Sequence, residues 1–230
     1  MTTYRAELLR ARSRTTLVFL MLCIVFTLFS MSNAGPQGHP PLWGFREVAI
    51  LTATLLMGRG AVVAANDFST GTIRPWLVSR PSRFSVFTGK LAASVTVALG
   101  AAVVIGLVSF AASGVFGEAA TARDMAVATG QFALACVALT IFGHAVGVLT
   151  RSVPAALAIT IAWVLPAEKV LQGRSSALDQ WLPGNLLQDI TLGVIGYNTS
   201  PAAAVLHATV PFILLDVVAL ALFTRRDINS

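Results

Sequence analysis

Long apolar runs separated by short basic stretches constrain this chain more than any other feature. A helix that crosses the hydrocarbon core of a bilayer needs about 20 mostly apolar residues, in a range of roughly 17–25. Six segments fit that description: 16–32, 48–65, 84–113, 125–149, 153–171 and 202–223. The third and fourth exceed what the core requires, which predicts tilt or projection beyond it. The fifth contains Pro166 and, soon after, Glu168 and Lys169, which interrupt its pattern. Charged residues make up 11% of the chain and hydrophobic ones 56%, whereas soluble domains average about 25% charged. The expectation is an all-α membrane protein, a single transmembrane domain over residues 1–230.

The basic residues cluster in the loops. With the N-terminus inside, the cytoplasmic pieces hold Arg5, Arg10, Arg12, Arg14, Arg74, Arg80, Arg83, Lys90, Arg151, Arg225 and Arg226, and the outer pieces only Arg46, Arg123, Lys169 and Arg174. This bias predicts that both termini face the cytoplasm. The formal net charge of +6 then reads as topogenic charge and not as a nucleic-acid footprint. The start has a second reading as a signal peptide, with four Arg before Leu17–Met31 and small residues at Ser32-Asn33-Ala34. An even number of spans, with both termini inside, needs this first span retained.

Residues 1–15 predict an interfacial helix, with Tyr4, Leu8 and Ala11 on a narrow apolar face between arginines; the alternative is a disordered basic tail. After the fifth span, Trp181-Leu182-Pro183-Gly184 predicts a turn, and Asn185 with Gln188 three residues on predicts a capped helix start. Leu186, Leu187, Ile190 and Val194 would share one face. The 182–198 segment is too short and polar to span, so it predicts an outer interfacial or re-entrant helix, or an amphipathic helix packed on the outer loops.

Several chemistries lack their residues. Gly89-Lys90 is followed by Leu91, and Phe84 stands where a phosphate-binding loop would have its first glycine, so no ATP hydrolysis is expected in this chain. No His-Glu-x-x-His or Gly-x-Ser-x-Gly occurs. Cys23 and Cys136, the only cysteines, lie in apolar runs with no metal-ligand spacing. The expectation is a non-enzyme without cofactor or metal.

Three ionisable residues fall inside predicted spans: Arg59, His144 and Asp216. Such groups are costly in a bilayer and face protein or water. One reading makes them a substrate path or proton relay. The other makes Arg59 a snorkelling side chain near the inner end with Asp216 as its structural partner. Gly143-His144-Ala145-Val146-Gly147 predicts a close helix contact at its glycines, with His144 packed or hydrogen-bonded.

Between the second and third spans lies a basic island: Asp67-Phe68-Ser69-Thr70-Gly71-Thr72-Ile73-Arg74, then Arg80-Pro81-Ser82-Arg83, then Gly89-Lys90. Pro75 and Pro81 break it into short pieces, with Trp76, Leu77 and Val78 supplying an oily side. By itself this reads as a partner-facing element or as an anchoring loop. Its residues resemble the cytoplasmic loop of type-2 permeases of ATP-binding-cassette (ABC) exporters: an acidic residue, a Gly-Thr, a Pro near a basic residue, and a Lys opening the third span. The likeness extends to the short basic start, the six-span layout, the long outer segment and the ending Phe223-Thr224-Arg225-Arg226-Asp227-Ile228. Two positions depart from the pattern: Asp67 stands where Glu is usual, and Pro75-Trp76 where hydroxyl residues are common.

The resemblance implies that the island carries a coupling helix, with Asp67, Gly71, Thr72, Arg74, Arg80 and Arg83 at the contact with a separate ATPase subunit. It implies two ATPase copies, which would bind ATP and Mg, and a second permease copy, identical or a paralogue. It implies a bacterial plasma membrane and export of a hydrophobic or amphipathic cargo such as a drug, lipid or peptide, with antibiotic or bacteriocin resistance as a family-level role. The rival readings are a proton-coupled transporter or channel using Arg59, His144 and Asp216, and a non-transport scaffold or sensor.

Overall fold

The structure, a computed structural model, describes residues 3–34, 42–79, 82–116, 120–194 and 200–225. Every regular element among them is helical. In chain order these are α1 (Thr3–Ala11), α2 (Arg14–Ala34), α3 (Trp43–Ser69), α4 (Ile73–Ser79), α5 (Arg83–Ser113), α6 (Ala122–Thr150), α7 (Val153–Ala162), a π-helical turn (Trp163–Ala167), α8 (Glu168–Leu171), α9 (Ser176–Asp179), α10 (Pro183–Leu192) and α11 (Pro201–Arg225).

Among the described residues, five helices are long and apolar enough to cross a membrane: α2, α3, α5, α6 and α11. They suggest a multi-pass membrane protein. Five of the six predicted spans correspond to these helices. The sixth does not reach the same standard. Residues 153–171 are helical throughout, but only Val153–Ala162 forms a regular apolar helix, about 15 Å long at 1.5 Å per residue. Pro166 has no N–H and its ring crowds the carbonyl four residues back, and the π turn around it absorbs that conflict.

Helix ends follow local chemistry. The Ser82 hydroxyl accepts the Ser85 N–H at 3.3 Å and starts α5; the Thr121 hydroxyl accepts the Asp124 N–H at 3.1 Å and starts α6. Helix α3 runs past the predicted end at residue 65 and keeps Asn66, Asp67 and Phe68 helical. It stops where Gly71 takes a left-handed conformation (φ +71°) with nothing within 4 Å.

Helices α3 and α6 form the centre, running parallel. A Cβ on Gly143 would overlap the carbonyl oxygen of Met57, and one on Gly147 would come within 2.5 Å of the Ala61 oxygen. The predicted close contact at Gly143 and Gly147 is therefore present, and it is glycine that permits it. Phe45 meets Phe132 edge-on at 5.7 Å on the same seam. Helix α11 packs on α6 through Phe142 and Phe212, stacked at 4.7 Å. Helices α2, α5 and α11 bury only one side, and leave apolar residues such as Leu22, Leu107 and Leu214 exposed, as a lipid-facing surface would.

At one end of the bundle lie α1, α4, the start of α5 and the C-termini of α3, α6 and α11. At the other, the Arg46 guanidinium donates to Gln131 Oε1 at 2.8 Å and to the Thr191 carbonyl at 3.0 Å, pinning α10 across α3 and α6. Two expectations about α10 need correction. Its N-cap is Leu182, so Gly184 and Asn185 lie in the first turn and Asn185 is not the cap. Its buried face carries Leu186, Leu187, Ile190 and Thr191, while Val194 is exposed. It packs against the helices α3, α6 and α11, and not on the outer loops alone. Residues 195–199, the end of the predicted segment, lie outside the described residues.

Candidate functional site

Two charged residues of the island, Asp67 and Lys90, meet in a buried ion cluster. Asp67, on the last turn of α3, is fully buried at 0% exposure. Lys90, two turns into α5, is 5% exposed, and Glu7 of α1 is 4% exposed. The Lys90 ammonium pairs with Asp67 Oδ2 and with Glu7 Oε1, the latter at 2.7 Å. Arg10 donates to Asp67 Oδ1 at 2.9 Å and lies 3.7 Å from Glu7 Oε1. The Thr72 hydroxyl donates to the same Asp67 oxygen at 2.9 Å. Two carboxylates thus face two cations, and one oxygen of Asp67 holds the loop that leads to α4. Buried ions need this kind of complete pairing, because each is expensive to remove from water.

The cluster changes how α1 is understood. Its expected apolar face, Tyr4, Leu8 and Ala11, is half-buried, and the deeply buried positions are Thr3 and Glu7. A Cβ on Gly89 would lie 2.8 Å from the Thr3 Cβ, and the Tyr4 hydroxyl meets that of Thr96 at 3.2 Å. Helix α1 is docked on α5 through small and ionic side chains. Sequence reasoning missed Glu7 and Arg10. The available signal was a single acid among four arginines before the first span.

The short helix expected between the second and third spans is present as α4. Its predicted contact residues do not share one exposed face. Asp67 is interior. Gly71 and Thr72 are exposed at the turn. Arg83 lies at the start of α5 and donates to the carbonyls of Thr224 at 3.3 Å and Phe223 at 3.5 Å, holding the end of α11. Arg74 lies on α4. Arg80 and Pro81, and residues 226–228 of the chain ending, lie outside the described residues. Among the described side chains of α4, Val78 is 86% exposed and Pro75 is exposed.

The intramembrane residues separate into two places. Asp216 does not pair with Arg59. Its Oδ1 lies 3.0 Å from His144 Nδ1, and Phe87 meets the His144 ring edge-on at 4.7 Å. His144 is therefore both packed and hydrogen-bonded, with Nε2 buried and unpartnered. Arg59 points instead into a groove between α2, α3 and α7.

At the opposite end, Glu168 is buried behind the π turn. Its Oε2 accepts the Asn185 N–H at 2.9 Å at the start of α10. Among the described residues no group of three or more His, Cys, Asp or Glu could hold a metal ion.

No protein-family model matches the chain, and no curated protein matches it.

Proposed function

We propose that this chain is the membrane subunit of an ATP-driven exporter, with α4 as the element that engages a separate ATPase. The observation that carries the reading is a short helix with an exposed apolar tip, Val78, whose connecting loop is tied by Asp67 to a buried ion cluster spanning α1, α3 and α5. An exposed large apolar residue on a short helix between two long ones suits docking in a groove of a cytoplasmic protein. The rigid cluster would then pass motion of α4 to three helices at once. Two copies of the chain and two ATPase subunits would make the transporter, and ATP and Mg would bind in the ATPase. Cargo would be hydrophobic or amphipathic, and the membrane a bacterial plasma membrane with both termini inside.

Asp67, in this reading, transmits motion to the spans and does not touch the ATPase. The test is co-purification in mild detergent with a candidate ATPase subunit. Val78→Asp is expected to lose the complex while the permease stays folded. Asp67→Asn is expected to keep the complex and lose substrate-stimulated ATPase activity. A Val78→Asp variant that still binds the ATPase as the parent does would sink the proposal.

The buried His144–Asp216 pair favours a second reading, a proton-coupled transporter. That reading predicts transport without an ATPase, collapsed by dissipating the proton gradient and by His144→Phe.

A further inference from the structure

We infer that the groove between α2, α3 and α7 is a binding site for an anionic phospholipid, with Arg59 holding the headgroup. The groove has a volume of about 590 Å³. Its walls are apolar, with Phe19, Leu55 and Leu157 prominent, and among the described residues Arg59 is the only charged one that lines it. Along α2 it extends from Thr16 to Phe26, ten residues or about 15 Å, the scale of an acyl chain.

The charge balance singles out Arg59. The acid that most influences it is Glu7, but Glu7 is held by Lys90 at 2.7 Å and lies 3.7 Å from Arg10. Glu7 and Asp67 are matched by Lys90 and Arg10, so the neighbouring cluster has no negative charge to spare. Arg59 itself makes no hydrogen bond or ion pair with another described residue. A guanidinium in an apolar groove at membrane depth calls for an acidic partner.

The occupant follows from position and charge. Arg59 lies ten residues before the end of α3, about 15 Å from the α1 end of the bundle, on the half of the helix nearer that end. Arg12 and Arg14, both exposed, stand at the α1–α2 corner beside Thr16. An apolar trough with cations at its mouth matches an acidic headgroup above acyl chains. A second copy of this chain fits worse, since residues 14–34 and 153–167 contain no Asp or Glu to meet the guanidinium.

The inference requires only that the chain sits in a membrane, so it stands or falls independently of any ATPase. The full-length protein would be reconstituted in nanodiscs, and binding of phosphatidylglycerol and phosphatidylcholine with identical chains measured by native mass spectrometry. The expected result is at least a tenfold preference for phosphatidylglycerol. It should be lost in Arg59→Gln, largely kept in Arg59→Lys, and weakened for both lipids by Leu55→Trp, which fills the groove. Arg59→Lys also guards against a folding failure, since it keeps the charge. Unchanged preference in Arg59→Gln would overturn the site. So would a Phe26→Cys cross-link between two copies that persists under excess phosphatidylglycerol, because the groove would then belong to the second copy.

Discussion

Asp67 accepts from Lys90, Arg10 and Thr72 at once, and that convergence makes it the most consequential side chain of the basic island. Removing one member of a buried pair leaves an uncompensated charge, at a cost of about 3–5 kcal/mol. Asp67→Asn and Lys90→Met should each lower the thermal midpoint in detergent. The double variant should be less destabilised than the sum, with a coupling of about 1 kcal/mol or more in a double-mutant cycle. Strict additivity would mean that the pair does not stabilise the native fold.

Helix α3 and its seam with α6 set the geometry at the scale of elements. Gly143 and Gly147 lie against the backbone of α3, with no room for a methyl group. Gly143→Ala should separate the helices and lower the thermal midpoint. Gly100→Ala, on α5 where nothing lies within 4 Å, should be neutral or stabilising by up to about 1 kcal/mol through helix propensity. Equal effects at the two sites would refute the close-packing account. Element-scale features were legible to different degrees. The glycine spacing at 143 and 147 announced a contact because a helix repeats its face every four residues. The extent of α3 was not legible, because Asn66 and Asp67 look like the start of a loop until the partners of Asp67 on α1 and α5 are known. The π turn was half-legible: Pro166 signalled a disruption, but whether the chain would kink, stop or bulge depended on its neighbours.

For the whole molecule, the helices sort the basic residues into two ends. Arg10, Arg83, Lys90 and Arg151 gather at the α1 end, while Arg46 and Lys169 lie at the other, beside α10. If the positive-inside orientation holds, Ser13→Cys should be labelled by a membrane-impermeant maleimide only from the cytoplasmic side, and Gln172→Cys only from the outer side. Cys23 and Cys136, both fully buried, should stay unlabelled in the folded protein. Labelling of Ser13→Cys from outside would reverse the assigned topology.

Apolar run length and charge placement, read from the chain alone, determined the helical class, five of the long helices and the position of the short helix between the second and third of them. These are local properties: a run of 20 apolar residues is a helix in lipid whatever surrounds it, because every backbone polar group must be satisfied within the segment. Only tertiary structure decided the pairing of charges. Asp216 and Arg59 lie at compatible depths, yet Asp216 meets His144, and Arg59 turns away into an apolar groove. Asp67, marked as a surface contact by its motif, is interior because Arg10 on α1, 57 residues away in sequence, and Lys90 on α5, 23 residues away, reach it. Which ions share a buried site depends on how helices distant in sequence are turned against one another, and that rotation is set by packing at the seams and not by any single segment.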